Sequence, residues 1–113
     1  MAKFIKEIEE FAGRVQVMID EHFEETYAPL KADLITVKCG RKYAKLISTE
    51  RFETQPGYKA YRNQQHVYGF VNMHTGDIHM PASWSGPSKH IRGNIFNSDR
   101  GMGACGIHRI KYM

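Results

Sequence analysis

The chain has 113 residues, 42% of them apolar and 25% charged, with a formal net charge of +4. That is enough for one hydrophobic core and too apolar for a wholly disordered segment. No apolar run approaches the roughly 20 residues that a bilayer-spanning helix needs, and Glu7, Glu9 and Glu10 interrupt the amino terminus where a secretory leader would be apolar. The expectation is a single cytosolic domain, 1–113, with no membrane partner.

In chain order, the first element is an amphipathic helix over 1–27. Phe4, Ile8, Phe11, Val15, Met18 with Ile19, and His22 with Phe23 recur every three or four residues and form one apolar stripe. Glu7, Glu10, Arg14, Asp20, Glu21 and Glu24 fill the remaining arc, and Pro29 stops the helix. Gly13 costs about 1 kcal/mol in a helix interior, yet the stripe continues on both sides of it, so the helix is read as unbroken.

From residue 33 the period changes to two. Leu34 to Cys39 and Tyr43 to Thr49 are rich in β-branched and aromatic residues, with Gly40-Arg41 as a tight hairpin turn between them. Residues 51–65 read as a polar loop with a turn at Pro56-Gly57 and a short strand near Tyr58–Tyr61. A second hairpin runs from His66 to Asn72, turns through Met73-His74-Thr75-Gly76, and returns over Asp77 to Met80. Gly76 stands where such a loop needs a positive φ. Two more strands are expected at His90–Phe96 and Cys105–Tyr112. The fold class is therefore mostly β (α+β): an N-terminal helix followed by a small bent five-stranded antiparallel barrel over 33–113, since closure removes strand edges that would pair with other chains.

Charge is distributed unevenly. Residues 1–25 hold three basic groups against seven acids, net −4, and the remaining 88 residues are net +8. An acidic helix on a basic body suits a polyanionic partner. Within that body, Pro81 to Phe96 contains the only tryptophan, Trp84, together with Lys89, His90 and an Arg92-Gly93-Asn94 corner, and no acid. An aromatic face serves a base, cations serve phosphate, and glycine lets backbone N–H groups approach. Arg92 stacks on a base or forks to a phosphate, and Asn94 bonds a base edge or its own turn. Plain alternatives stand beside each: a strand-to-turn transition for the corner, a lid over the core for Trp84, and solvated groups for Lys89 and His90. Arg41, Lys42 and Lys45 form a second basic cluster, in which Arg41 and Lys45 share a strand face while Lys42 points away; protection of a sheet edge is the alternative there. Tyr58, Tyr61, Arg62 and Tyr68 interleave aromatic with basic character.

Chemistry is poorly provided for. Cys39 and Cys105 lack the paired spacing of a zinc site and read as small core or strand residues. His74 and His79 flank the Gly76 turn without any helical ligand motif, so no metal and no cofactor is expected. After Glu53 the only carboxylic side chains are Asp77 and Asp99, which leaves a general acid–base pair hard to assemble. The enzymatic alternative, a phosphodiesterase using His66, His79, His90 or His108, ranks behind a non-enzymatic binding protein.

Val67-Tyr68-Gly69-Phe70-Val71-Asn72, Thr75-Gly76-Asp77-Ile78, Pro81-Ala82-Ser83-Trp84, Pro87-Ser88-Lys89 and Arg92-Gly93-Asn94-Ile95 together resemble a family of small marine (cyanophage-type) phage proteins, over residues 66–96. That resemblance implies an Sm/LSm-like fold, a homo-oligomeric ring, and RNA or single-stranded DNA as partner. It also implies the host-cell cytoplasm as location, with the virion as the alternative. His90 to Ile95 is similar to the second Sm motif, which implies a base-contacting role for Arg92, Gly93 and Asn94; the first Sm motif is not recognisable. On this reading Arg41, Lys42, Lys89 and Arg62 neutralise phosphates, while Trp84 or Tyr61 stacks. The rival expectation is a virion or assembly component working through protein–protein contacts, with the acidic helix of one subunit against the basic body of the next.

Overall fold

A computed structural model describes residues 4–26, 34–49, 65–106 and 110. Its elements are helix α1 (Ile5–Thr26) and strands β1 (Leu34–Cys39), β2 (Tyr43–Thr49), β3 (Gln65–Asn72), β4 (Asp77–Pro81) and β5 (Pro87–Asn94), followed by a short 3-10 turn at Met102–Ala104. All neighbouring strands pair antiparallel in the order β1-β2-β3-β4-β5. The expected loop with its Tyr58–Tyr61 strand, Pro29, and His108 lie outside the described residues.

The helix is continuous through Gly13, whose missing side chain faces open space. Its stripe meets the sheet as the spacing requires: Ile8, Phe11, Val15 and Ile19 are fully buried. They pack with Ile35, Ala44, Leu46, Tyr68, Val71, Met73 and Ile78 in one core. Burying each such side chain contributes about 1.5–3 kcal/mol, and this packing holds α1 to the sheet. Two polar contacts fix its position. The Phe4 N–H donates to the Met73 carbonyl (2.9 Å), and the Ile35 N–H donates to Gln16 Oε1 (2.7 Å).

The sheet is bent but open, which corrects the expectation of a closed barrel. β1 and β5 end the order and do not pair with each other. Part of the reason lies at Ile35: its outward N–H, which barrel closure would give to another strand, goes to the helix instead. Three register shifts interrupt the ladders, and two of them leave a single residue over. On β3 the register shifts between the partners Leu46–Gly69 and Ile47–Val67, leaving Tyr68 over as a bulge. On β5 it shifts between Ile78–Gly93 and His79–Ile91, leaving Arg92 over. Bulges of this kind increase local twist and re-aim side chains.

Of the expected strand Cys105–Tyr112 only residues 105, 106 and 110 are described, and there Cys105 pairs with Ile110 in an isolated antiparallel bridge; the rest lies outside the described residues. A glycine-dense segment, 99–104, precedes it. Asp99 accepts the N–H groups of Gly101 and Gly103 (2.9 Å each) and winds this segment into the 3-10 turn. β5 also begins earlier than expected, at Pro87, where an edge strand tolerates the missing N–H.

Candidate nucleic-acid interface

Antiparallel register decides which side chains share the sheet face turned away from α1. Lys38 stands opposite Lys45, Lys45 opposite Phe70, Phe70 opposite His79, and His79 opposite Ile91. This row crosses all five strands. Ala44 and Leu46, which alternate with Tyr43 and Lys45 along β2, belong to the helix-side core, so Tyr43 and Lys45 point outward.

Aromatic rings build the floor of this face. Tyr43 meets Phe70 edge-on (centroids 6.3 Å apart, 83°) and His79 edge-on (5.5 Å, 89°). Phe70 and His79 are buried beneath it, and the His79 ring is fixed by a hydrogen bond between Nδ1 and the Ser88 carbonyl (2.9 Å). Trp84 comes from the β4–β5 loop. That loop is held tight because the Ala82 and Ser83 N–H groups both donate to the Gly86 carbonyl (3.0 and 3.2 Å). At its tip Trp84 stays 52% exposed and its ring stacks under Lys45 Nζ, 4.4 Å from the centroid.

Cations surround this floor. Lys38, Arg41, Lys42 and Lys45 line a cleft of about 290 Å³ with Tyr43, Phe70, Ser85 and Pro87. No carboxylate is among the described residues lining it. Lys38 and Lys45 face each other across the β1–β2 ladder, an arrangement that costs roughly 0.2–1 kcal/mol relative to neutral neighbours. Stacking on Trp84 offsets part of this for Lys45; an anion between the two lysines would relieve the rest. Lys42 does not point away as expected: its Nζ lies 5.5 Å from the Tyr43 centroid. Strand alternation does not govern its direction, because Arg41 and Lys42 belong to the turn and β2 begins only at Tyr43.

The acids of α1 occupy the opposite side of the molecule. Glu9, Glu10, Asp20, Glu21 and Glu24 are exposed on the helix, so the charge split along the sequence becomes a split across the sheet.

The Arg92-Gly93-Asn94 corner is placed differently from the basic cleft. It lies at the far end of β5 from the cleft-lining Pro87, beside the β3–β4 turn. Gly93 turns its hydrogen side into the body, where a Cβ would stand 3.1 Å from Ala104 Cβ. Asn94 clamps the turn: its Nδ2 donates to the Thr75 carbonyl (2.9 Å) and to Asp77 Oδ1 (3.0 Å), and its Oδ1 accepts the Phe96 N–H (2.8 Å). Gly76, at φ 80°, supplies the left-handed residue that this turn requires. Arg92 is half-buried at the β5 bulge, whereas Lys89 and His90 are exposed along the edge strand. Tyr61 and Arg62 lie outside the described residues. The structure thus brings together Trp84, Arg41 and Lys42 from the expected set. It adds Lys38, Tyr43, Lys45 and Phe70, of which only Lys45 stood out in the sequence.

Asn94→Ala separates a turn clamp from a base reader. The clamp predicts a loss of about 1–2 kcal/mol in urea unfolding with nucleic-acid affinity unchanged. Weakened binding at unchanged stability would return Asn94 to the interface.

Among the described residues no group of His, Cys, Asp and Glu is arranged to hold a metal ion, and no helix is long and apolar enough to cross a membrane. Neither Cys39, which is exposed, nor Cys105, which is buried, is in a disulfide. A model described as a family of unknown function, DUF7717, matches residues 3–106. No curated protein and no solved structure matches the chain.

Proposed function

We propose that this chain, which belongs to the DUF7717 family, is a non-enzymatic protein that binds RNA or single-stranded DNA on the sheet face opposite α1. The observation that carries this reading is the facing pair Lys38 and Lys45, with Lys45 against the exposed Trp84 ring, in a cleft whose described lining holds no carboxylate. Positive groups beside stacking rings, with bases free to unstack onto them, are what single-strand recognition uses. Phosphates are neutralised by Lys38, Arg41, Lys42 and Lys45, a base stacks on Trp84, and Lys89 and His90 extend the path along β5. Arg92 contributes charge from the bulge. Action as a homo-oligomer in the cytoplasm of a phage-infected host belongs to the same proposal, with the open β5 edge as a surface for a neighbouring subunit.

Trp84 is the only tryptophan, so its emission reports on the interface directly. Titration with single-stranded RNA or DNA at low salt is expected to quench it, and Trp84→Ala is expected to weaken binding about 5- to 150-fold, the worth of one stacked base. Saturable binding that leaves the emission unchanged would move the interface elsewhere.

A second reading, an assembly protein working through protein–protein contacts, is favoured by the acids on α1 and the cations on the opposite face, which suit head-to-tail stacking of copies. Light scattering on nucleic-acid-free protein separates the two: salt-sensitive self-association without any nucleic-acid binding selects the second.

A further inference from the structure

The cations of the outer face are concentrated rather than spread. Lys38, Arg41, Lys42 and Lys45 fall within eight residues of sequence around one turn and line one cleft. Beyond Lys45 the cross-strand row continues as Phe70, His79 and Ile91, with no charged lysine or arginine. A groove that tracks a polyanion along its length distributes cations along the path; here four of them gather at one end, with Lys89 and Arg92 on β5 set apart from the cluster. The cleft's volume of about 290 Å³ also sits at the small end of the range for small-molecule sites, roughly 300–1,000 Å³, which is room for one nucleotide and not for several. The aromatic wall is Tyr43, which stands on the Phe70 floor.

We infer that this cleft is a site for a single phosphorylated nucleoside, its phosphate among the four cations and its base against Tyr43. A terminal phosphate, with its extra negative charge and free oxygens, fits a cluster of converging cations better than an internal phosphodiester does. Two sources share that chemistry, a phosphorylated strand end and a free nucleotide. The inference rests on the nucleic-acid reading for the face involved, but its ligand is one unit long.

The test is a set of Trp84 fluorescence titrations on the full chain at one salt concentration. The probes are a short oligothymidylate with hydroxyl ends, the same strand phosphorylated at its 5′ or its 3′ end, adenosine 5′-diphosphate, and inorganic pyrophosphate. At least one phosphorylated strand is expected to bind about tenfold more tightly than the hydroxyl strand, as one added charge-assisted contact predicts. Adenosine diphosphate is expected to displace it, and pyrophosphate to displace it less well. A double variant, Arg41→Ala with Lys42→Ala, changes only exposed turn residues and is expected to erase the advantage of the phosphorylated end while leaving the melting temperature in place. Equal binding of all three strands together with failure of adenosine diphosphate to compete overturns the inference while leaving the polymer reading intact. Displacement by pyrophosphate as strong as by the nucleotide overturns it too, since the base then contributes nothing. Binding of adenosine diphosphate without binding of any strand supports the inference and removes the polymer reading; binding of none of the probes removes both.

Discussion

Replacing Arg41, Lys42 and Lys45 together by alanine is expected to weaken binding of single-stranded nucleic acid on the order of 100-fold at about 50 mM salt, and to flatten the salt dependence by about two units in log K against log salt. Each cation that neutralises a phosphate of a single strand contributes about 0.7 to that slope, so three account for about 2. The same triple change should leave the fold nearly as stable as before. Arg41 and Lys42 are exposed in the turn, and removing Lys45 ends its opposition to Lys38 while losing its stacking on Trp84. These last two effects have opposite signs and are each about 1 kcal/mol or less. Filter binding or fluorescence across a salt series measures the affinity, and urea unfolding measures the stability. An unchanged slope would mean that the phosphates are held elsewhere, with the exposed Lys89 on β5 the next place to look.

That prediction depends on residues which the sequence presented as separate clusters. Local periodicity made most of the scaffold legible. The stripe from Ile8 to Ile19 sets the buried face of α1, and the bounds of β1 and β2 follow from β-branched runs on either side of Gly40-Arg41. The β3–β4 turn follows from Gly76, whose φ of 80° few other residues adopt. The outer row was not legible, because it is a property of pairing rather than of any one strand. Lys38, Phe70 and His79 are 32 and 9 residues apart in sequence, and a slip of one residue in any ladder would turn one of them to the other face.

Bulges add to the difficulty. Tyr68 and Arg92 each break the alternation of their strands, so counting by twos along β5 places the Arg92-Gly93-Asn94 corner wrongly. Asn94 shows how the same residue type serves either purpose. A short amide beside a glycine is as suited to a base edge as to a turn, and only the partners Thr75, Asp77 and Phe96 distinguish the two. The 3-10 turn after β5 had a readable signal: an aspartate two and four residues before glycines offers its oxygens to their N–H groups.

Alkaline pH is expected to destabilise the domain through Tyr68. Its ring is completely buried in the core, and its hydroxyl donates to the Gly106 carbonyl (2.7 Å), while the Ile110 N–H donates to its own carbonyl (3.0 Å). The residue therefore ties the segment after the 3-10 turn to β3. Gly69 beside it has no side chain because Ile110 packs where a Cβ would lie. Burial, with the neighbouring Cys105 thiol as a smaller cause, pushes the Tyr68 phenol well above the ordinary tyrosine value of 10.0. The folded state keeps this proton at pH values where the unfolded chain has released it. Tyr68 therefore contributes its full stability below about pH 10, and each further pH unit removes up to about 1.4 kcal/mol. By pH 12 the loss from this one residue reaches roughly 2–3 kcal/mol, a large share of the 5–15 kcal/mol typical of a small domain. Tyr68→Phe should cost about 1 kcal/mol at pH 7, where it forfeits the hydrogen bond to Gly106. It should also show a shallower decline above pH 10 than the parent protein in urea unfolding measured at successive pH values. Equal slopes for the two proteins would mean that the phenol ionises within the folded state, and that the segment carrying Gly106 and Ile110 opens without unfolding the sheet.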